Sequence, residues 1–534
     1  KPDVRDALLP FLNSNSSDIR VEAVNALAQM NADVDFASYL QMEKAPSVRA
    51  VLLESIGRVK VPAANAESLL RAGLVDPSPV ARVGAARGIE ALVRQKGRGA
   101  RLPPELAASV HAAFAANAGQ PIRELLLLAM NSAADQDSAT FTLALRDSSA
   151  LVRRLAVIGA KKWADDKSPI VRYEALRVVR DCPHALQFVN APSEMVQLAA
   201  IDMLGDRTCD VTPLEGLART GKNWRVRAHA LVALAKAKPS SARVLLPSFA
   251  NDTLWHSRVY AATAARILAD TLTLLKLARD SQPNVAVEAM TTTADAIHAL
   301  NSNHAGLLLA AANKLKGAPE LTTLGPRIDS ALKHAAVLRV ASSLDARAAL
   351  EQRLRETRAF AVDSLDRRLT DASAPSHIAL EPLALLRRER GAIAQITMKG
   401  LGVVTLELLY DLAPRTVHRF AMLADSGKYD GLTFHRIVPN FVIQGGSPGA
   451  DEYDGRTELF MNDEVGMISH TRGTVGISTR GYDRGDGQIF INLVDNFRLD
   501  HQYTVFARVT SGMDVVDRVQ EGDIMESVKI IRKK

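Results

Sequence analysis

The feature that most restricts this chain is a phrase that returns along its first half: a turn, a small or acidic residue, an apolar residue, an arginine, then an Ala/Leu-rich stripe. It reads Ser17-Asp18-Ile19-Arg20, Pro46-Ser47-Val48-Arg49, Pro79-Val80-Ala81-Arg82, Ala150-Leu151-Val152-Arg153, Pro169-Ile170-Val171-Arg172, Trp224-Arg225-Val226-Arg227 and His256-Ser257-Arg258-Val259. Several of these arginines stand 29 to 33 positions apart. That is the length of two short helices and two turns, so the period predicts stacked helix pairs. One such pair cannot bury its apolar stripe alone and must pack on its neighbours. The register is imperfect: Arg82 to Arg123 spans 41 residues, with an insertion at Gln95 to Pro104, and Arg153 to Arg172 spans only 19, too short for a full pair. Pro121-Ile122-Arg123 and the segment from Ser193 to Gln197 are weaker copies, and the pattern fades after Val285. A degenerate helical section is expected to cap the array to about Leu369.

The repeated phrase resembles HEAT repeats, whose inner helix opens with such an element. The resemblance implies an all-α, HEAT-like solenoid over residues 1–370. Composition agrees, since 534 residues exceed one ordinary core, and 47% hydrophobic with 5% aromatic content describes an Ala/Leu/Val-rich helical body. The net charge of +7 is unevenly spread: residues 1–390 carry 50 Lys+Arg against 40 Asp+Glu, and residues 391–534 carry 16 against 19. A basic excess raises the question of nucleic acid. The array lacks interleaved aromatics for base stacking, and arginines of this repeat type pair with acids of the next repeat, so a protein partner is expected on the solenoid and nucleic acid is not. No run approaches 18 uncharged apolar residues, so no membrane span is expected. The two cysteines, Cys182 and Cys209, read as buried free thiols rather than a disulfide framework. The chain begins at Lys1 without a charged segment and apolar core of the secretory kind. A processed or trimmed form is expected, with an exported, periplasmic location ahead of a cytoplasmic one.

The polar, proline-bearing segment Asp371 to His377 opens a linker or docking stretch, residues 371–390. From Gly391 the period changes from 3.6 to 2. Ile393–Met398 and Val403–Leu408 read as a hairpin around a glycine turn, and Ala413–Leu423 as an amphipathic helix with proline in its first turn. Thr433 to Ile437 alternates as a half-buried strand, Pro439-Asn440 turns, and Phe441 to Ile443 resumes a strand stopped by Gly445 and Gly446. Such spacing can bring a guanidinium, an aromatic face and a carboxamide to one patch of a sheet. An edge strand with a snorkelling Arg436 is the plainer reading of the same residues.

The stretch Phe434-His435-Arg436-Ile437-Val438-Pro439-Asn440-Phe441-Val442-Ile443-Gln444-Gly445-Gly446 resembles the signature of the cyclophilin-type peptidyl-prolyl cis/trans isomerases. Arg472–Ser478, Gly487–Asn492 and Leu499–Val509 resemble further blocks of that family in the same order, with wording closer to bacterial than to animal members. The resemblance covers roughly Ile393 to Ile531. It implies that residues 391–534 form an antiparallel β-barrel capped by helices, with Arg436, Gln444 and Phe441 catalytic. His435, Val442, Ser478, Thr479, Arg480, Gln488, Phe490, Leu499 and Tyr503 stand at its substrate-binding positions. Proline-containing polypeptide clients are implied, and the chemistry asks for no cofactor and no metal. Three departures bear on substrate range: Ser478-Thr479-Arg480 stands where animal members of the family have Ala-Asn-Ala, Arg498 stands where a tryptophan favours cyclosporin, and the loop Gly481–Asp486 is unusual. Weak cyclosporin sensitivity is expected. Two functions follow, an active folding catalyst whose solenoid holds a client or scaffold, and a catalytically weak proline-recognition module on an interaction scaffold. Arg484-Gly485-Asp486 spells an adhesion tripeptide, but three residues in a glycine-rich loop recur by chance.

Overall fold

A computed structural model describes residues 2–61, 64–97, 99–116, 119–135, 137–163, 165–333, 343–357, 378, 381–382, 386–452 and 459–533. The linker candidate Asp371–His377 and the cap expected beyond Thr357 lie outside the described residues. The chain divides into two compact units, residues 1–180 and 181–534.

In the first unit the repeated phrases open helices Ser17–Gln29, Pro46–Arg58, Pro79–Gln95, Ala150–Ala160 and Pro169–Val179, and the weaker copy opens Gln120–Ser132. Proline falls in the first turn of several of them, where its missing N–H has no partner to lose. Each of these helices packs on the next through small and branched residues. Gly84 and Gly88 have no room for a Cβ, because the backbone of Ala50 and Leu53 lies against them. The short spacing between Arg153 and Arg172 has a simple outcome: the two helices pack directly, with no outer helix between them.

The arginine of the phrase has a structural task. Arg153 donates from Nη1 to the carbonyl of Asp147 at 2.7 Å and pairs through Nε with Asp166 at 2.5 Å, while Asp166 also accepts from the amide of Ser168. Arg123 does the same with Asp147 (2.6 Å), which receives the amide of Ser149; Arg20 pairs with Glu43 and Arg49 with Asp76. One guanidinium thus ties the turn before its own helix to the acid that caps the next. These four arginines are therefore engaged within the helical array.

The second unit carries more helices of this kind, including Glu194–Gly205, Trp224–Ala237, Trp255–Ile267, Pro283–Ala289, Ala305–Lys314 and Leu344–Glu356. The helical pattern therefore continues past Val285, where the sequence signal fades, because Ala/Leu stripes such as Leu308, Ala311 and Leu350 still bury a common core without the arginine phrase. Arg258 repeats the ladder with Asp280 at 2.7 Å. The expectation of free thiols is corrected. Cys182, at the start of helix Cys182–Phe188, and Cys209, after helix Glu194–Gly205, are joined in a disulfide with Cα atoms 5.4 Å apart. The packing of those two helices brings together thiols 27 residues apart, at a separation a disulfide spans.

From Ile393 the unit closes an eight-stranded antiparallel barrel: β1 (Ile393–Met398), β2 (Gly402–Leu408), β3 (Thr433–Val438), β4 (Val442–Ser447), β5 (Thr474–Thr479), β6 (Gly485–Asn492), β7 (Val505–Ser511) and β8 (Asp523–Ile531). Their order around the barrel is β1-β2-β7-β5-β6-β4-β3-β8. Alternate residues such as Ala394, Ile396, Leu406, Ile443, Val475, Ile489 and Ile491 fill the interior. Helix Pro414–Asp425 lays Val417 and Phe420 over that core, with the Phe420 ring 5.3 Å from Tyr429 and 5.0 Å from Phe506. Among the described residues no helix is long and apolar enough to cross a membrane.

Within this unit the opening turns of the helices face barrel loops. Arg225 donates to the carbonyl of Glu521 at 2.9 Å and pairs with Asp523, and Asn284 donates to the carbonyl of Gly449 at 2.8 Å. Tyr260 donates its hydroxyl to Glu521 at 2.9 Å, and burial raises both the Glu521 carboxyl and the Tyr260 phenol. Gly522, at φ +82° between them, lies against the rings of His256 and Trp224. Its amide donates to the carbonyl of Phe434 on β3 at 2.9 Å.

Candidate active site

The strand pair β3–β4 sets the site. Val438 to Phe441 forms a tight turn with Pro439 second and Asn440 third; the amide of Phe441 donates to Val438 at 3.0 Å and Asn440 sits at φ 55°. Proline fixes the second position of such a turn and asparagine tolerates the left-handed third. The turn places Arg436 opposite Gln444. Strict alternation would put Arg436 on the face of Phe434, which is buried in the core. A bulge at His435 prevents this: Phe434 pairs with Gly445 and Arg436 with Gln444, leaving one extra residue on β3. Core contacts are therefore made by Phe434 and Ile437, three apart, and Arg436 turns to the outer face.

There it borders a cleft of about 360 Å³ lined by Phe441, Val442, Gln444, Ser478, Thr479, Arg480, Phe490, Leu499 and Tyr503, with Glu452 and Asp345 at its edge. Gln444, 6% exposed, donates from Nε2 to Ser478 Oγ and to Gln488 Oε1, both at 3.0 Å. With both amide hydrogens engaged, Gln444 Oε1 is left to accept from Arg436 Nη1, at 3.3 Å. The guanidinium also pairs through Nε with Glu452 at 2.8 Å.

The aromatic floor is held as firmly. Phe490 lies against Gly476 of β5, where a Cβ would come within 2.4 Å of the ring. The Tyr503 ring meets it edge-on at 5.8 Å, and the buried His470 ring stacks on it at 5.7 Å. His470 has Asn492 Nδ2 at 3.3 Å and the carbonyl of Tyr503 at 3.2 Å, and burial lowers its pKa. Asn496 donates to the carbonyl of Phe441 at 2.9 Å, as does the amide of Leu493, fixing the backbone that carries the Phe441 ring.

Ten of the twelve residues singled out from sequence thus converge on one cleft. Gln488 stands behind Gln444 and donates to the carbonyl of Asp451 at 3.3 Å. His435 occupies the bulge away from the cleft wall, where burial pulls its pKa down to about 4. Arg498 is exposed beside the cleft residue Leu499. Sequence reasoning missed His470, Glu452 and Asp345. Only the first stands close to a recognisable block, two residues before Arg472, and a single histidine there carries no periodic signal.

The arrangement offers a charged fork beside an aromatic slot. Residues 393–533 match the family described as cyclophilin type peptidyl-prolyl cis-trans isomerase/CLD. A peptidyl-prolyl cis-trans isomerase of Helicobacter pylori (strain J99) is 40% identical over 148 residues, 26% of this chain and 89% of that protein. Peptidyl-prolyl cis-trans isomerase B of Bacillus subtilis is 37% identical over 132 residues, 24% of this chain and 90% of that protein. Peptidyl-prolyl cis-trans isomerase CYP18-2 of Arabidopsis thaliana is 34% identical over 161 residues, 28% of this chain and 96% of that protein. Nearly the whole length of each relative is thus found in the C-terminal quarter of the chain, where the barrel closes around Arg436 and Gln444, and through that barrel the chain belongs to the cyclophilin-type peptidyl-prolyl cis-trans isomerases.

Proposed function

We propose that this chain accelerates X-Pro rotation in protein clients as a folding catalyst, with Arg436 as the group that stabilises the twisted amide. An X-Pro bond prefers trans by only ~0.5–1 kcal/mol, yet it turns over tens to hundreds of seconds because amide resonance must be broken. In the twisted state the prolyl nitrogen becomes pyramidal and regains a lone pair. A guanidinium fixed at that point can donate to it, and does so more strongly where water is excluded. Phe441, Val442, Phe490 and Leu499 grip the proline ring so that rotation occurs on the other side of the bond. Gln444 aligns Arg436 and presents its amide to the client backbone, while Ser478, Thr479, Arg480 and Tyr503 line the path of the flanking residues. No step moves a proton, which accords with imidazoles at His435 and His470 that burial keeps neutral.

The observation that carries this reading is the Gln444–Arg436 contact at the mouth of the aromatic slot. The test is a cis/trans exchange assay on an X-Pro peptide with the full chain and Arg436→Ala. A wild-type rate at least a hundredfold above the variant is expected; equal rates would leave a proline-recognition module. One observation favours that second reading, the pairing of Arg436 Nε with Glu452, which a substrate has to displace.

The division into residues 1–370 as a HEAT-like scaffold, 371–390 as linker or docking segment and 391–534 as isomerase follows the change of period at Gly391. The scaffold binds a protein partner through surfaces other than the helix openings already turned to the barrel. The Cys182–Cys209 bond supports an oxidising, exported setting.

A further inference from the structure

The cleft is not built by the barrel alone. Asp345 is the second residue of helix Leu344–Glu356, far outside the stretch shared with the relatives, and it lines the cleft beside Thr479 and Arg480. Its carboxylate stands 3.3 Å from Arg480 Nη1. Across the cleft Glu452 stands 2.8 Å from Arg436 Nε. Two arginines and two carboxylates balance in number but not in what an incoming chain meets. The Asp345 side chain is 36% exposed against 19% for Arg480, and Glu452 is 49% exposed against 40% for Arg436. In each pair the acid is the outer partner. Once Arg436 turns to the prolyl amide, Glu452 also loses its counter-charge at the rim.

We propose that the helical part of the second unit contributes Asp345 as a specificity residue, and that with Glu452 it makes the cleft select X-Pro segments carrying a lysine or arginine next to the X-Pro pair. This rests on the isomerase reading of the same cleft and names its substrate class. A basic side chain takes over the carboxylate that Arg436 releases, whereas an acidic one meets two carboxylates and finds Arg480 already engaged. Part-exposed pairs of this kind contribute modestly and weaken with salt.

The test uses the full chain and three peptides, each with one Ala-Pro bond flanked by lysine, alanine or glutamate. Both cis/trans exchange rate and peptide affinity are measured at low and high salt. At low salt the lysine peptide is expected to exceed the glutamate peptide roughly fivefold to tenfold in both, the ratio shrinking with salt. Asp345→Asn and Glu452→Gln each lower the ratio, and Asp345→Lys moves it toward the glutamate peptide, a reversal that mere loosening of the fold cannot produce. Ratios near one in the wild type, or ratios untouched by all three variants, overturn the proposal. If no peptide is isomerised yet the affinity ranking and its response to Asp345→Lys hold, the charge selection stands and the catalytic reading falls.

Discussion

Gly476→Ala perturbs the floor of the cleft through Phe490 while leaving every side chain that meets the client unreplaced. At Gly476 a Cβ would lie 2.4 Å from Phe490 Cζ and 2.7 Å from Cε1, whereas carbon atoms rest about 3.5–4.0 Å apart. The ring must therefore withdraw by more than ~1 Å. It cannot tilt aside freely, since His470 stacks on it and Tyr503 meets it edge-on. The remaining direction is into the slot that holds the proline ring. Overpacking of this sort destabilises a core by about 1–3 kcal/mol. A misplacement of ~1 Å near a reacting group lowers turnover by as much as about a hundredfold. The expected outcome is a soluble barrel with a lower unfolding midpoint and kcat/KM down at least tenfold. The assays are thermal unfolding and cis/trans exchange on an Ala-Pro peptide. Full activity at unchanged stability would refute the claim that Phe490, pinned on Gly476, forms the slot.

Three further outcomes follow from buried charge and covalent constraint. His435 titrates at about 4 in the fold because it is buried, against ~6.5 when unfolded, so the unfolded chain alone takes up a proton between those values. Stability is then full above pH ~6.5 and falls as pH drops toward 4, by up to about 3 kcal/mol, and pH-dependent denaturation should show a shallower fall in His435→Gln. Arg123→Ala removes the guanidinium from the half-buried Asp147 carboxylate, leaving it the Ser149 amide and the neighbouring Arg153 charge, and is expected to destabilise the first unit by about 1–3 kcal/mol in urea denaturation. Reducing Cys182–Cys209, which closes a loop between residues 27 apart, should lower stability by about 3 kcal/mol, read as a midpoint shift with and without reductant.

Much of the site was legible because its members lie in one strand–turn–strand phrase. Pro439-Asn440 sets the turn, the turn sets the register, and the register sets Arg436 across from Gln444. Phe490 was legible only through the resemblance of its block to the family, and the fold supplies the reason a ring fits there: Gly476 opposite it on β5 leaves the space. The bulge at His435 was not, because a shift of one position looks like ordinary alternation until the core picks Phe434 and Ile437. Asp345 and Glu452 were invisible for a different reason: no short-range pattern ties them to the cleft they edge.

The amino-acid order by itself determined the helix pairs, through an arginine phrase that recurs at the length of a hairpin, and the first strands and turns after Gly391, through period two; their closure into a barrel was expected only from the family resemblance. Both are local signals, carried by neighbours in the chain. The tertiary fold alone decided that Cys182 meets Cys209, that His470 lies under Phe490, and that a helix opening more than 90 residues before Arg436 lends the cleft an acid. These are meetings of residues far apart in sequence, set by which surfaces bury best together, and no periodicity records them.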